Sequence, residues 1–189
     1  MSSSLGRWLI RALYPPSVAL NRVMCALGIW NLWDWVDDDL LLGAVPARRN
    51  VRELSNLGVS AIVNLCDEFP GHVEEMKRCG VTQLHLPTVD YHCPDIDVLE
   101  RGVQFILDRA AAGQKTYLHC KAGQGRSATL AVCYLMAAHH LSAGEAFARI
   151  KAVRPHVSRR LDRRLPVQEF ERRLASKRQS GGQDATRSI

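Results

Sequence analysis

Cys120 and Arg126 have five residues between them, Lys121-Ala122-Gly123-Gln124-Gly125. An apolar run, Lys115 to Leu118, leads into the segment, and an apolar helical pattern begins near Arg126. A thiol and a guanidinium around a short glycine-containing loop suit the holding of a phosphate beside a thiolate. Residues Cys120 to Gly125 supply backbone N–H groups, and Gly123 and Gly125 permit the positive φ angles that turn those groups inward. A helix starting at Arg126 aims its positive end at the same point. Such surroundings hold a cysteine below its free pKa of about 8.5 and make it a nucleophile at neutral pH. Arg126 can grip two phosphoryl oxygens bidentately, which a lysine cannot do. Ser127 can donate to the Cys120 sulfur as it leaves, and His119 at the strand end would orient the loop from behind rather than act as a base.

The elements that must position this loop follow from hydrophobic period and punctuation. Strands are expected at Leu40–Gly43, Ser60–Leu65, Val81–Leu86 and Lys115–Leu118, alternating with helices near 48–57, 71–79, 95–112 and 126–140. Ser142 with Glu145 forms a capping-box pattern that opens a further helix to about Val153, and a last helix is expected over roughly 166–175. This alternation predicts an α/β fold, a largely parallel central sheet flanked by helices, in a single domain. Ligands bind such sheets at the carboxyl ends of the strands. Three loaded segments fall there: the Cys120 loop, Cys66-Asp67-Glu68 and Thr88-Val89-Asp90. Cys66 ends the strand expected beside the one leading to Cys120. It is either a redox partner, able to trap oxidised Cys120 as a disulfide, or a buried inert thiol.

Residues 1–33 are apolar, with Arg7, Arg11 and Arg22 and no acid. Leu5, Trp8, Leu9, Ala12 and Leu13 share one helical face. Pro15-Pro16 is expected to end that helix and Ser17 to cap a second. The longest charge-free run after Arg22, Val23 to Trp33, is well short of the roughly 20 residues a bilayer needs. This N-terminal segment reads as an interfacial membrane contact, as packing against the domain, or as a cleaved presequence. The catalytic domain is expected over 34–175 and a disordered tail over 176–189. Of the net charge of +6, residues 151–189 hold 11 Lys/Arg against 4 Asp/Glu. Arg159, Arg160, Arg163 and Arg164 cluster there as a possible membrane-facing patch. Six cysteines without a CxxC pair argue against a metal site and a disulfide framework, and no cofactor is expected. With no secretory signal visible, an intracellular protein is expected, cytoplasmic or peripheral to a membrane, and no nucleic-acid partner.

His119-Cys120, five residues, then Arg126-Ser127 resembles the signature of the cysteine-based protein tyrosine phosphatase superfamily, dual-specificity branch. The resemblance implies a phosphomonoester hydrolase working through a cysteinyl-phosphate, without metal. It also implies an aspartic acid general acid on a separate upstream loop. Asp90 lies 30 residues before Cys120, and Asp95 and Asp97 compete at 25 and 23 residues. Over about residues 30–175, Trp35-Val36-Asp37, Leu40 to Pro46, Thr88-Val89-Asp90 and His119 to Gly123 are similar to the mitochondrial phosphatidylglycerophosphate phosphatases and their plant and bacterial relatives. That similarity implies a phospholipid head group as substrate, and a mitochondrial location if the source is eukaryotic. Phosphotyrosine or phosphoserine/threonine protein is the alternative substrate, and a silent phosphate-binding module the alternative class. Asp67-Glu68-Phe69 matches the acidic-aromatic segment of those relatives only in part. Gln124 stands where animal members carry a second loop arginine, which weakens a preference for polyanions, while Lys121 keeps one extra cation at the mouth.

Overall fold

A computed structural model describes residues 14–186. Helix α1 (Tyr14–Ala26) precedes a short strand β1 (Trp33–Trp35), followed by β2 (Leu40–Gly43), α2 (Arg48–Asn56), β3 (Val59–Cys66), α3 (Val73–Arg78) and β4 (Thr82–Thr88). The second half comprises α4 (Ile96–Ala111), β5 (Lys115–His119), α5 (Arg126–Ala138), α6 (Ala143–Val153), a 3-10 turn (Leu161–Arg163) and α7 (Leu165–Thr186). The strands lie in the order β1-β2-β5-β3-β4. Only β1 is antiparallel to its neighbour. The last strand in sequence, β5, therefore occupies the middle of the sheet, and the loop after it opens at the centre of the carboxyl edge.

Side chains alternate across the sheet with the period of two that a strand imposes. Leu41, Ile62 and Tyr117 pack with Val51, Leu54 and Met76 from α2 and α3 on one face. Leu40, Leu42, Val63, Leu65 and Leu118 pack against the other helices on the opposite face. Because both faces are covered, β2 is apolar throughout and β3 nearly so, whereas the edge strand β4 carries Thr82, Gln83 and His85. Helix α5 is buried at every position from Arg126 to Met136, since it lies between the sheet and α4, α6 and α7. Gly102 on α4 permits that close approach: a Cβ there would meet Leu130 Cδ1 of α5 at 2.3 Å.

Three features depart from the sequence expectations. Strand β1 was not among the expected strands; with only three residues, it is too short to show a period. Helix α1 begins at Tyr14 and carries Pro15 and Pro16 in its first turn, where no intrahelical N–H is needed; Ser17 falls inside it, and the helix expected over 5–13 lies outside the described residues. At the other end, α7 continues past residue 176 to Thr186. Within this extension Arg178 donates to the Met136 carbonyl (2.9 Å), a contact that composition hides; just before it Arg173 reaches Glu169 (2.9 Å) and Glu100 (3.1 Å).

Gly102→Ala should destabilise the fold by about 1–3 kcal/mol through overpacking, and Leu130→Ala by about 2–5 kcal/mol. In a denaturant double-mutant cycle the pair should cost less than the sum, because the truncated Leu130 makes room for the new methyl. Strict additivity would show that the two residues do not touch.

Candidate active site

The loop after β5 is held from its outer side. His119 Nδ1 lies 3.4 Å from the Cys120 carbonyl oxygen, and Val45 N–H donates to Lys121 O at 3.2 Å. Arg154 donates from Nη2 to Ala122 O (3.1 Å) and from Nε to Gly123 O (2.9 Å). Ser158 N–H donates to Gln124 O (2.9 Å), and Gly125 O accepts from the Thr129 N–H (2.9 Å) and hydroxyl (2.7 Å). With its carbonyls engaged outward, the loop turns N–H groups inward; Gly123, at φ +69°, makes the reversal. A Cβ on Gly123 would meet the Gly43 carbonyl at 2.5 Å and Arg154 Nη2 at 2.8 Å.

Arg154 is fully buried, and its Nη1 is paired with Asp34 of β1 and donates to Asn31 O at 3.2 Å. The edge strand and the turn after α6 are thus joined beneath the loop by one guanidinium. Trp30 stacks on His156 in the same place, with ring centroids 5.1 Å apart. Burial, and then the Arg154 charge, bring His156 down to about 4. It is a neutral ring at physiological pH.

Cys120 is buried at the loop's centre. Burial alone raises a thiol. Here the Arg126 charge, the Ser127 hydroxyl at 3.2 Å, and the backbone N–H groups of Ser127 and Gly123 outweigh it, and the Cys120 pKa lies below its ordinary value. His119 is buried and stacked on Tyr117, with centroids 5.6 Å apart. Burial first, then cationic neighbours, bring it down to about 3. It is uncharged when the loop works, and it contacts the loop backbone.

Arg126 joins two strand ends. Its Nη1 donates to Leu65 O at the end of β3 (3.3 Å) and Thr88 O at the end of β4 (2.7 Å). Glu68 binds it as a fork, at 2.9 Å to Nη1 and 2.7 Å to Nη2, with both side chains about 2% exposed. Asp90 stands 2.9 Å from Nη2, and its other oxygen pairs with Lys121. The buried Nε of Arg126 has no partner among the described residues, which leaves a donor for a bound anion. Asp95 is instead the N-cap of α4, accepting from Val98 N–H at 3.0 Å, and Asp97 lies exposed in that helix's first turn.

Above Cys120 is a cavity of about 320 Å³ whose floor is the loop and Arg126, and whose sides include Asp90, Leu20 and Asn21 of α1, Trp30, Ser158 and Arg164. All the expected site residues Asp90, Cys120, Lys121, Ala122, Gln124, Gly125 and Arg126 border it; Ser127 and Gly123 touch the sulfur from below, and His119 lies behind. Cys66 is buried on β3, whose register sets Asn64 opposite His119 on β5. Burial first, then the charges of Cys120 and Glu68, push its thiol well above the usual range. Two essential supports, Arg154 with Asp34 and the Glu68 fork, are absent from the expected site. A buried arginine needs a counterion, and Glu68 at the carboxyl edge was the nearest acid of the right kind; Arg154 carried no local signal.

Arg154→Met should lower the free energy of unfolding by about 3–5 kcal/mol, because it leaves Asp34 and two loop carbonyls unpaired in the interior. Denaturant titration measures it. A loss below about 1 kcal/mol would mean that Arg154 does not hold the loop.

The catalytic-domain family of the dual specificity phosphatases matches residues 40–173. The chain is 36% identical over 166 residues to the phosphatidylglycerophosphate phosphatase PTPMT2 of Arabidopsis thaliana, covering 86% of this chain and 73% of the relative. It is 34% identical over 186 residues to the phosphatidylglycerophosphatase and protein-tyrosine phosphatase 1 of Rattus norvegicus, covering 93% and 96%. A crystal structure of PTPMT1 in complex with PI(5)P superposes with a TM-score of 0.72 at 33% identity, over 78% of this chain and 99% of that one. The sheet, the loop and these similarities agree: the chain belongs to the dual specificity phosphatase family and is a cysteine-dependent phosphatase with a single α/β domain.

Proposed function

We propose that this phosphatase removes a phosphomonoester from a phospholipid head group of the phosphatidylglycerophosphate kind, with Cys120 as nucleophile and Asp90 as general acid and base. One observation carries the reading: a buried thiol held towards its anionic form faces the same cavity as Arg126, Lys121 and the Asp90 carboxylate. The incoming phosphoryl dianion takes Arg126 and Lys121 from Asp90, and the freed carboxylate takes up a proton from solvent, ready to donate it. The Cys120 sulfur attacks phosphorus in line, the bond to the leaving oxygen breaks with its electron pair, and Asp90 protonates that oxygen. Water, its proton taken by Asp90, then attacks phosphorus; the P–S bond breaks, and Ser127 donates to the departing sulfur. Arg126 and the inward N–H groups carry the charge of both transition states.

A lipid substrate is supported by the relatives' names and by the cavity's surroundings. Leu20 (60% exposed), Val23, Leu27 (67%) and Ile29 leave an apolar surface around α1, and Leu20 and Trp30 line the cavity. Among the described residues no helix is long and apolar enough to cross a membrane, so this surface would rest at the interface, with the basic cluster of Arg159, Arg160, Arg163 and Arg164 near anionic head groups. Cys66 enters only as a protonated thiol near the nucleophile, a slow trap for oxidised Cys120.

Cys120→Ser should abolish vanadate-sensitive hydrolysis of p-nitrophenyl phosphate, and Asp90→Asn should lower kcat by about 10²–10³ with the circular dichroism spectrum unchanged. If Asp95→Asn shows that loss and Asp90→Asn does not, the acid is misassigned. Side by side, vesicle-borne phosphatidylglycerophosphate should be turned over with a higher kcat/KM than a phosphotyrosine peptide, and the reverse order would make the enzyme a protein phosphatase.

A further inference from the structure

Gln124 is neutral, so Lys121 is the one side-chain cation within the Lys121–Gly125 stretch, but the structure supplies a cation from elsewhere in the chain. Arg164, between the 3-10 turn and α7, lines the same cavity beside Gln124, Gly125 and Ser158. It is half-buried and oriented. Its Nη1 donates at 2.7 Å to the Thr129 hydroxyl, which in turn donates to Gly125 O at 2.7 Å. Its guanidinium also meets the Cys93 thiol. These contacts leave donors of its planar fork unengaged.

The charges in the cavity are unequal. Arg126 is balanced by Glu68 and Asp90, and Lys121 by Asp90. Among the described residues Arg164 has no carboxylate within ion-pair distance, whereas Arg163 and Arg172 each have one and Arg173 has two. An arginine fixed by neutral partners on the wall of a pocket, with no internal acid, is arranged for an anion from outside. Ser158, whose hydroxyl lies 3.6 Å from where a Gly125 Cβ would be, adds a neutral donor to the lining of the same cavity. Beyond them Leu20 and Trp30 make the wall apolar.

We propose that Arg164, with Ser158 beside it, is a second anion subsite that takes the phosphodiester of the same substrate molecule whose phosphomonoester is bound at Cys120. The inference rests on the phosphoryl-transfer reading, because the subsite is defined by its place above that loop. It makes Arg164 a specificity residue. A phosphate monoester alone engages the floor of the cavity, and a head group with a second phosphate a short polyol away engages floor and wall together, its lipid stem directed to Leu20 and Trp30.

Binding to the full chain carrying Cys120→Ser tests the subsite without turnover. Calorimetry would compare dihexanoyl phosphatidylglycerophosphate with glycerol 3-phosphate, which lacks the diester. Adding Arg164→Gln should reduce the ratio of the two affinities about tenfold, the worth of a charge-assisted contact. Arg164→Lys, which keeps the charge and a donor for Thr129, should retain more of that ratio. An unchanged ratio in Arg164→Gln, as when both ligands weaken alike because Arg164 only anchors the start of α7, overturns the subsite. So does a ratio that falls as far with Lys as with Gln. Hydrolysis of p-nitrophenyl phosphate by the chain with Cys120 intact is scored separately: its failure would overturn the reaction assignment, while the affinity ratio still decides the subsite.

Discussion

The outward hydrogen bonds of the Cys120–Gly125 loop govern the site. A peptide chain turning this tightly would ordinarily expose carbonyls on both sides, and a carbonyl facing the sulfur would repel the thiolate it is meant to hold. Here six successive carbonyls meet a donor on the outer side: an imidazole, three backbone N–H groups, a hydroxyl and the fork of Arg154. Arg154 contributes most because one planar group serves two adjacent carbonyls and is itself fixed by Asp34. Much of the remaining fold can be read as its support. β1 brings Asp34, the end of α6 brings Arg154, and Gly123 lets the loop lie close against the Gly43 carbonyl and the guanidinium.

Inside the loop the balance is between desolvation and charge. Cys120 and Arg126 are both buried, and either alone would be costly in ionised form. Together they offset each other, and Glu68 keeps the guanidinium rigid while the carbonyls at the ends of β3 and β4 share its donors. This arrangement links the parallel sheet to the chemistry. Three strands deliver Leu65 O, Thr88 O and Cys120 to one edge, so the geometry around Arg126 follows from sheet register instead of from loop conformation.

The parts of this site that were legible in the sequence are the local ones. Cys120 and Arg126 lie within one turn and its helix, and strand, loop and helix each announce themselves by period and glycine. Asp90 was singled out by the family resemblance, 30 residues before Cys120, and it follows β4 at the same edge. Asp95, a competitor for the acid in the sequence, is taken up as the N-cap of α4. What could not be read was long-range pairing. Nothing around Asp34 says that it meets an arginine 120 residues later, and β1 is too short to show a pattern. Gln124 suggested a less cationic pocket because the sequence alone does not reveal that Arg164 lines the same cavity. The continuation of α7 was hidden for a related reason: the Gly, Ser and Gln beyond residue 176 suggest disorder, while Arg178 among them donates to the Met136 carbonyl on another helix.

The central claim is that the loop's inward N–H groups and Arg126 hold Cys120 as a thiolate in spite of burial. The most direct test follows the rate of iodoacetamide alkylation at Cys120 against pH in the unmodified chain, with the modified peptide quantified by mass spectrometry. The inflection should fall well below the free-thiol value of about 8.5. An inflection at or above that value would mean that desolvation wins, and that the loop binds phosphate without activating its cysteine.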